Sequence, residues 1–195
     1  MVKITSVCVF CGSSFGQAER YREEAARLGG LLAEHGIALI YGGGGVGLMG
    51  VLAQAALAAG GQVIGVIPRF LERAERGVHS LTRLEVVESM HERKERMFAL
   101  SDAFIILPGG FGTLDETFEI LTWKLLALHD KPVVLVDLDG YWRPLEQLID
   151  HVIANGFAHA PSRASFRTTQ SVDAALAEIA RAPQPRVAPA APERL

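Results

Sequence analysis

Ala103-Phe104-Ile105-Ile106-Leu107-Pro108-Gly109-Gly110-Phe111-Gly112-Thr113-Leu114-Asp115-Glu116 is the stretch that decides the fold. Ala103 to Leu107 is an unbroken apolar run, as expected of a strand buried on both faces of a parallel sheet. Residues Thr113 to Leu128 then read as a helix. A strand that ends in a glycine-rich turn and opens a helix makes an anion site, because bare backbone N–H groups and the positive helix end face the same point. Glu116 falls in the first turn of that helix, beside the place where a phosphate would lie. A simple phosphate cradle needs no acid there, so the segment points to chemistry as well as binding.

The same alternation extends over most of the chain. Ile4–Phe10, Ala38–Tyr41, Val63–Ile67, Leu84–Val87, Ala103–Leu107 and Val133–Val136 are short, apolar and rich in β-branched residues. Between most of them lie the helical stretches Gln17–His35, Val46–Ala59, Met90–Ser101, Thr113–Leu128 and Trp142–Asn155. The pattern predicts an α/β fold, a doubly wound parallel sheet covered on both faces in a three-layer αβα single domain. Ser165–Thr169 reads as a short edge strand and Val172–Arg181 as a last helix, so the domain spans 1–181. The remaining residues, 182–195, are rich in proline and alanine and read as a flexible tail. In open sheets of this kind ligands bind beyond the carboxyl ends of the strands. Gly12-Ser13-Ser14, Gly42 to Gly50 and Gly109 to Thr113 all fall there, which implies one shared pocket.

Bulk properties narrow the function. The 195 residues suffice for one domain with a substantial core. A net charge of −3 argues against a basic nucleic-acid surface. No apolar run approaches the roughly 18 residues that span a bilayer, and the N-terminus carries no cleavable signal pattern. A cytoplasmic protein with neither nucleic acid nor membrane as partner is expected. Cys8 and Cys11 form a CxxC, but both fall in or at the end of a strand, whereas a redox motif opens a helix. A zinc site would need a second ligand pair at suitable spacing. Both are therefore read as buried thiols.

Gly45-x-Gly47-x-x-Gly50 matches the dinucleotide fingerprint formally. The strand after it ends Gly65-Val66-Ile67-Pro68-Arg69, without the acid that would hold a nicotinamide ribose. A mononucleotide or sugar phosphate fits better, although a tight turn that serves only helix–sheet packing has the same sequence. In Met90-His91-Glu92-Arg93-Lys94-Glu95-Arg96-Met97, Met90, Arg93, Lys94 and Met97 share one helical face. The methionines mark that face as inward, so two cations point at the interior or a cleft. Buried cations need an anion; a phosphate or Glu116 would serve. Snorkelling side chains on a helix edge are the alternative. Thr113-x-x-Glu116 also fits a capping box, a purely structural role for both residues.

PGGFGTLDE, MHERK and GGGGVGLMG together resemble the LOG family of cytokinin-activating enzymes, also labelled lysine decarboxylase-like. The resemblance runs from about Val7 to about Ala154. It implies a Rossmann-like fold, a homodimer, no metal and no cofactor. It also implies hydrolysis of N6-substituted adenosine 5′-monophosphates to free base and ribose 5-phosphate, an activity like that of an AMP nucleosidase. By motif position the catalytic pair falls on Arg93 and Glu116. Substrate contacts fall on Glu75, Met90, Lys94, Gly109, Gly110, Phe111, Gly112, Thr113, Leu114, Asp115 and Thr122, with Ser13, Gly43, Gly44 and Gly47 in the neighbouring turns. Asp115 stands where many members carry glutamate.

Cleavage of such a bond passes through an oxocarbenium-like centre. Glu116 is expected to stabilise it and to activate water, with Arg93 placing the phosphoribosyl group or Glu116 itself. Phe15, Met49, Met90 and Trp123 are candidate walls for the base. The alternative is a non-catalytic nucleotide-binding or carrier module, which would keep the glycine turns without needing Glu116 and Arg93 together. A pyridoxal phosphate decarboxylase would need a lysine in the pocket, and of Lys3, Lys94, Lys124 and Lys131 only Lys94 falls near it.

Overall fold

A computed structural model describes residues 4–72 and 81–182. Glu75 and the tail from residue 183 onward lie outside the described residues. The elements run β1 (Ser6–Phe10), α1 (Glu19–Glu34), β2 (Ala38–Tyr41), α2 (Gly47–Ala58), β3 (Val63–Pro68), α3 (Arg69–Glu72) and β4 (Arg83–Val87). They continue with α4 (Met90–Ala99), β5 (Ala103–Ile106), α5 (Phe111–Leu125), β6 (Val133–Val136), α6 (Arg143–Ala154), β7 (Arg167–Thr169) and α7 (Val172–Arg181).

The strands form one seven-stranded sheet in the order β4-β3-β2-β1-β5-β6-β7, and each neighbouring pair is parallel. The expected doubly wound α/β architecture is therefore present. Alternate residues of the strands feed opposite faces. Val7, Val9, Leu39, Tyr41, Ile105 and Val134 pack with α1, α2 and α7. Cys8, Phe10, Ile40, Phe104, Ile106 and Leu135 pack with α4, α5 and α6. Each Val, Leu or Ile buried in this way contributes about 1.5–3 kcal/mol, which is why apolar runs unbroken over both faces mark the central strands.

The departures from the expected helix ends that bear on the site are both on α5. Its N-cap is Gly110, in extended conformation, so the helix opens at Phe111 and not at Thr113. Thr113 thus lies inside the first turn and Glu116 in the second, and the capping-box geometry does not arise. At the other end Leu128 N–H donates to Trp123 C=O and Ala127 N–H to Lys124 C=O, with Ala127 at φ 57. This double closure is a Schellman end built on alanine, and without a glycine the sequence did not signal it.

The chain order makes the crevice between β1 and β5 special. From β1 the connections step toward β4, and from β5 they step toward β7. Neighbouring strands whose connections leave in opposite directions open a crevice at their carboxyl ends, the usual ligand position in such sheets.

Candidate active site

The loop after β1 and the turn after β5 meet over that crevice. Gly12 N–H donates to Pro108 C=O at 3.0 Å, and Leu48 N–H, at the start of α2, donates to Gly12 C=O at 3.0 Å. A cavity of about 240 Å³ opens between them, lined by Gly12 to Gly16, Tyr21, Leu48, Pro108 to Gly110 and Tyr141. Ser13 and Gly109 thus share one cavity, as their positions past the strand ends implied. Glycine is required where these segments cross. A Cβ on Gly109 would overlap Thr113 Oγ1, and one on Gly47, at φ 60, would overlap the Ser13–Ser14 backbone. Gly43 and Gly44 are buried outside the cavity lining, Gly43 against Val66 and Ile67 of β3.

Arg93 and Glu116 come together under the same end of the sheet. Arg93 Nη1 lies 3.2 Å from Glu116 Oε1, and both side chains are 8% exposed. Arg93 Nε also donates to Val66 C=O at 3.1 Å and Nη2 to Gly42 C=O at 3.3 Å. The guanidinium is therefore clamped by a carboxylate and two strand-end carbonyls, a geometry that suits its planar fork. Gly42 makes the seat, since a Cβ there would overlap the guanidinium. Met90 Sδ is 4.0 Å from Arg93 Nη1, at the rim. Snorkelling does not describe Arg93.

Lys94 takes a different position. Its Nζ lies 3.1 Å from Asp115 Oδ2 and 3.2 Å from Glu119 Oε2. Burial pulls its pKa down, but the two carboxylates outweigh that and hold it above the usual lysine value. A Schiff-base lysine needs a neutral amine, so Lys94 does not fit pyridoxal phosphate. Lys124 and Lys131 have pKa values lowered by burial, yet they bond Lys131 C=O and Phe98 C=O away from the cavity. The described residues thus offer no lysine suited to that cofactor.

Other expected contacts separate. Gly110 stays on the cavity, but Gly112 is exposed within α5, Phe111 projects into solvent at 92% exposure, and Leu114 packs partly against the α4–α6 core. Thr122 is exposed and donates to Phe118 C=O. It lies well over a turn beyond Glu116 and rotated away from it, so one chain does not bring it to the cavity. Trp123 packs edge-on against Phe98, on the core side of α5, and is not a wall of the cavity. Phe15 does line it, and Met49 is buried near Gly42. Glu119, Tyr21 and Tyr141 escaped the sequence reading, and Gly42 was placed in the pocket turns without its role as the Arg93 seat. Tyr141 could have been flagged, because it follows β6 at the carboxyl edge where ligands bind.

Cys8 and Cys11 are free and buried. Burial and the nearby Glu116 charge push both thiols up, the opposite of what a redox or nucleophilic cysteine requires. Among the described residues no group of three or more His, Cys, Asp or Glu could hold a metal ion, and no helix is long and apolar enough to cross a membrane.

Comparison with known proteins gives this cleft its relatives. The family described as "Possible lysine decarboxylase" matches residues 49–179. The chain is 46% identical over 175 residues, covering 89% of itself and 88% of the relative, to a protein of Rhodococcoides fascians named cytokinin riboside 5′-monophosphate phosphoribohydrolase. It is 48% identical over 157 residues to the rice (Oryza sativa subsp. japonica) protein named probable cytokinin riboside 5′-monophosphate phosphoribohydrolase LOGL1, covering 80% of the chain and 70% of that protein. Among solved structures the Moco carrier protein of Chlamydomonas reinhardtii superposes with a TM-score of 0.70 at 23% identity, over 92% of this chain and 97% of that one; this likeness shows the shared fold alone. The buried Arg93–Glu116 pair, the glycine turns around it and these relatives agree: the chain belongs to the LOG family, the family described as possible lysine decarboxylases.

Proposed function

We propose that this protein is a phosphoribohydrolase that cleaves the N-glycosidic bond of adenosine 5′-monophosphates, N6-substituted ones above all, into free base and ribose 5-phosphate. The observation that carries this reading is the buried Arg93–Glu116 pair, with Glu116 on the helix that opens at the glycine turn after β5. The 5′-phosphate sits at the α5 N-terminus, on the N–H groups of Gly110 to Thr113 with Ser13 opposite. The ribose then reaches toward Glu116. As the base leaves with the glycosidic electron pair, positive charge grows on the ribosyl carbon and the Glu116 carboxylate stabilises it. Water adds to that carbon and gives its proton to Glu116, and the departing base gains a proton in return, so that free base and ribose 5-phosphate result. Arg93 holds the carboxylate in place and faces it with a positive charge. Lys94, Asp115, Met90 and Glu75 are assigned to the substrate's outer parts.

A carrier module would need the turns but would have no use for a clamped carboxylate under the sugar. The test is a product assay with AMP and N6-isopentenyl-AMP in parallel. Free base and ribose 5-phosphate should appear from both, faster from the substituted nucleotide. Tight binding of both with no release of base would overturn the hydrolase reading in favour of the carrier.

A homodimer through α5 is part of the same proposal. Phe111, Phe118 and Leu125 follow one another at seven-residue spacing and are 92%, 40% and 53% exposed, with Leu126 and Leu128 beyond them. Such an apolar stripe on one helix is a partner-facing surface. It also carries Thr122, which a second copy could bring to a neighbouring cleft. Sedimentation should give twice the chain's 21.0 kDa, and Phe118→Glu should give a monomer; a monomeric wild type would overturn this part. Work on a nucleotide pool, with two reduced buried thiols, fits a cytoplasmic enzyme.

A further inference from the structure

Tyr141 lines the cavity from the turn between β6 and α6, a segment that carries none of the family motifs. Its mount is rigid. Asp137 Oδ1 accepts from Trp142 N–H at 2.7 Å, Trp142 is buried, and Tyr141 N–H donates to Leu138 C=O at 3.1 Å. The chain between turns at Asp139 and Gly140, both at positive φ. The Tyr141 ring stands edge-on to Trp142 at 4.8 Å and to Tyr21 at 5.7 Å. Its hydroxyl donates to Gly109 C=O at 2.5 Å.

That carbonyl belongs to the peptide between Gly109 and Gly110. In a trans peptide the C=O and the N–H point in opposite directions, so whatever holds Gly109 O also sets where Gly110 N–H points. Glycine on both sides gives this peptide a wide choice of backbone angles. A Cβ on Gly110 would meet nothing within 4 Å, so packing does not fix it from that side. Gly110 is the N-cap of α5, and the N–H groups at a helix start are those that serve an anion.

We infer that Tyr141 is a positioning residue for the phosphate: its hydroxyl locks the Gly109–Gly110 peptide so that the Gly110 N–H faces the 5′-phosphate. This rests on the phosphoribohydrolase reading. Tyr141 touches no reacting atom, so its work falls on phosphate affinity and not on bond cleavage.

The test is Tyr141→Phe, which keeps both ring contacts and removes the hydroxyl. Calorimetric titration with ribose 5-phosphate and with adenine, beside steady-state kinetics on AMP and a melting curve, reads the effect. One lost hydrogen bond should weaken ribose 5-phosphate and raise KM about three- to tenfold. Adenine affinity, kcat and melting temperature should stay close to wild type. Unchanged ribose 5-phosphate affinity in the variant would overturn the inference alone, and so would an equal loss for adenine, which would make Tyr141 a general support of the fold. A wild type that binds no ribose 5-phosphate would overturn the hydrolase reading and this inference with it.

Discussion

Glu116→Gln is expected to bind AMP about as well as wild type and to release base at least 10²-fold more slowly, the loss typical for a general base. Glutamine keeps the side chain's shape and an acceptor oxygen for Arg93 Nη1, now 3.2 Å from the carboxylate. It loses the two properties the chemistry uses. A neutral amide does not stabilise an oxocarbenium centre and does not take a proton from water. A 10²-fold loss corresponds to about 2.7 kcal/mol of transition-state stabilisation, within reach of one desolvated carboxylate in a site where both partners are 8% exposed. In the proposed binding mode backbone N–H groups hold the phosphate, so ground-state binding should survive. Rates belong well below the variant's melting temperature, since a buried guanidinium that faces an amide lowers stability. Wild-type turnover by Glu116→Gln would leave the carboxylate a structural counter-ion and remove it from the mechanism.

Much of the fold is written in the sequence. The two-faced apolar runs dictated a covered parallel sheet, and the β5–turn–α5 segment put a glycine-rich turn and a helix start at its carboxyl edge. The methionine spacing in α4 identified the inward face, and Arg93 does point in. Local preference misled where tertiary contacts decide. Thr113 has the chemistry of an N-cap, but its hydroxyl side packs over Gly109, and the helix opens two residues earlier on Gly110. Lys94 shares the Arg93 face by period, yet Glu119, one turn past Asp115, draws it to the α5 surface. The Gly42 seat and the Tyr141 hydroxyl were not readable from the sequence, because each depends on where a distant strand end lies. Contacts that cross from one strand end to another carry no periodic signal.

Arg93→Ala is expected to produce the largest loss of stability of any single change at this cleft. The side chain is buried and bonds Glu116, Val66 and Gly42 at once. Its removal leaves the Glu116 charge in the interior without its guanidinium and takes a donor from each carbonyl. Breaking a buried pair from one side costs about 3–5 kcal/mol, a large share of the 5–15 kcal/mol that holds a typical domain. Urea unfolding should show that loss as a lower midpoint at unchanged slope, with hydrolysis lost as well. Arg93→Lys separates charge from geometry. An ammonium keeps the cation near Glu116, but a single nitrogen does not satisfy a carboxylate and two carbonyls in the planar arrangement of the fork. It should recover much of the stability and little of the rate. The pair can also be weighed directly. If Arg93 acts on stability through Glu116, adding Glu116→Gln to Arg93→Ala should cost less than the two changes summed, because the second removes the charge the first exposed. Strict additivity would mean the clamp works through Gly42 and Val66 alone, and Arg93 would then be a brace between strand ends rather than the partner of the catalytic acid.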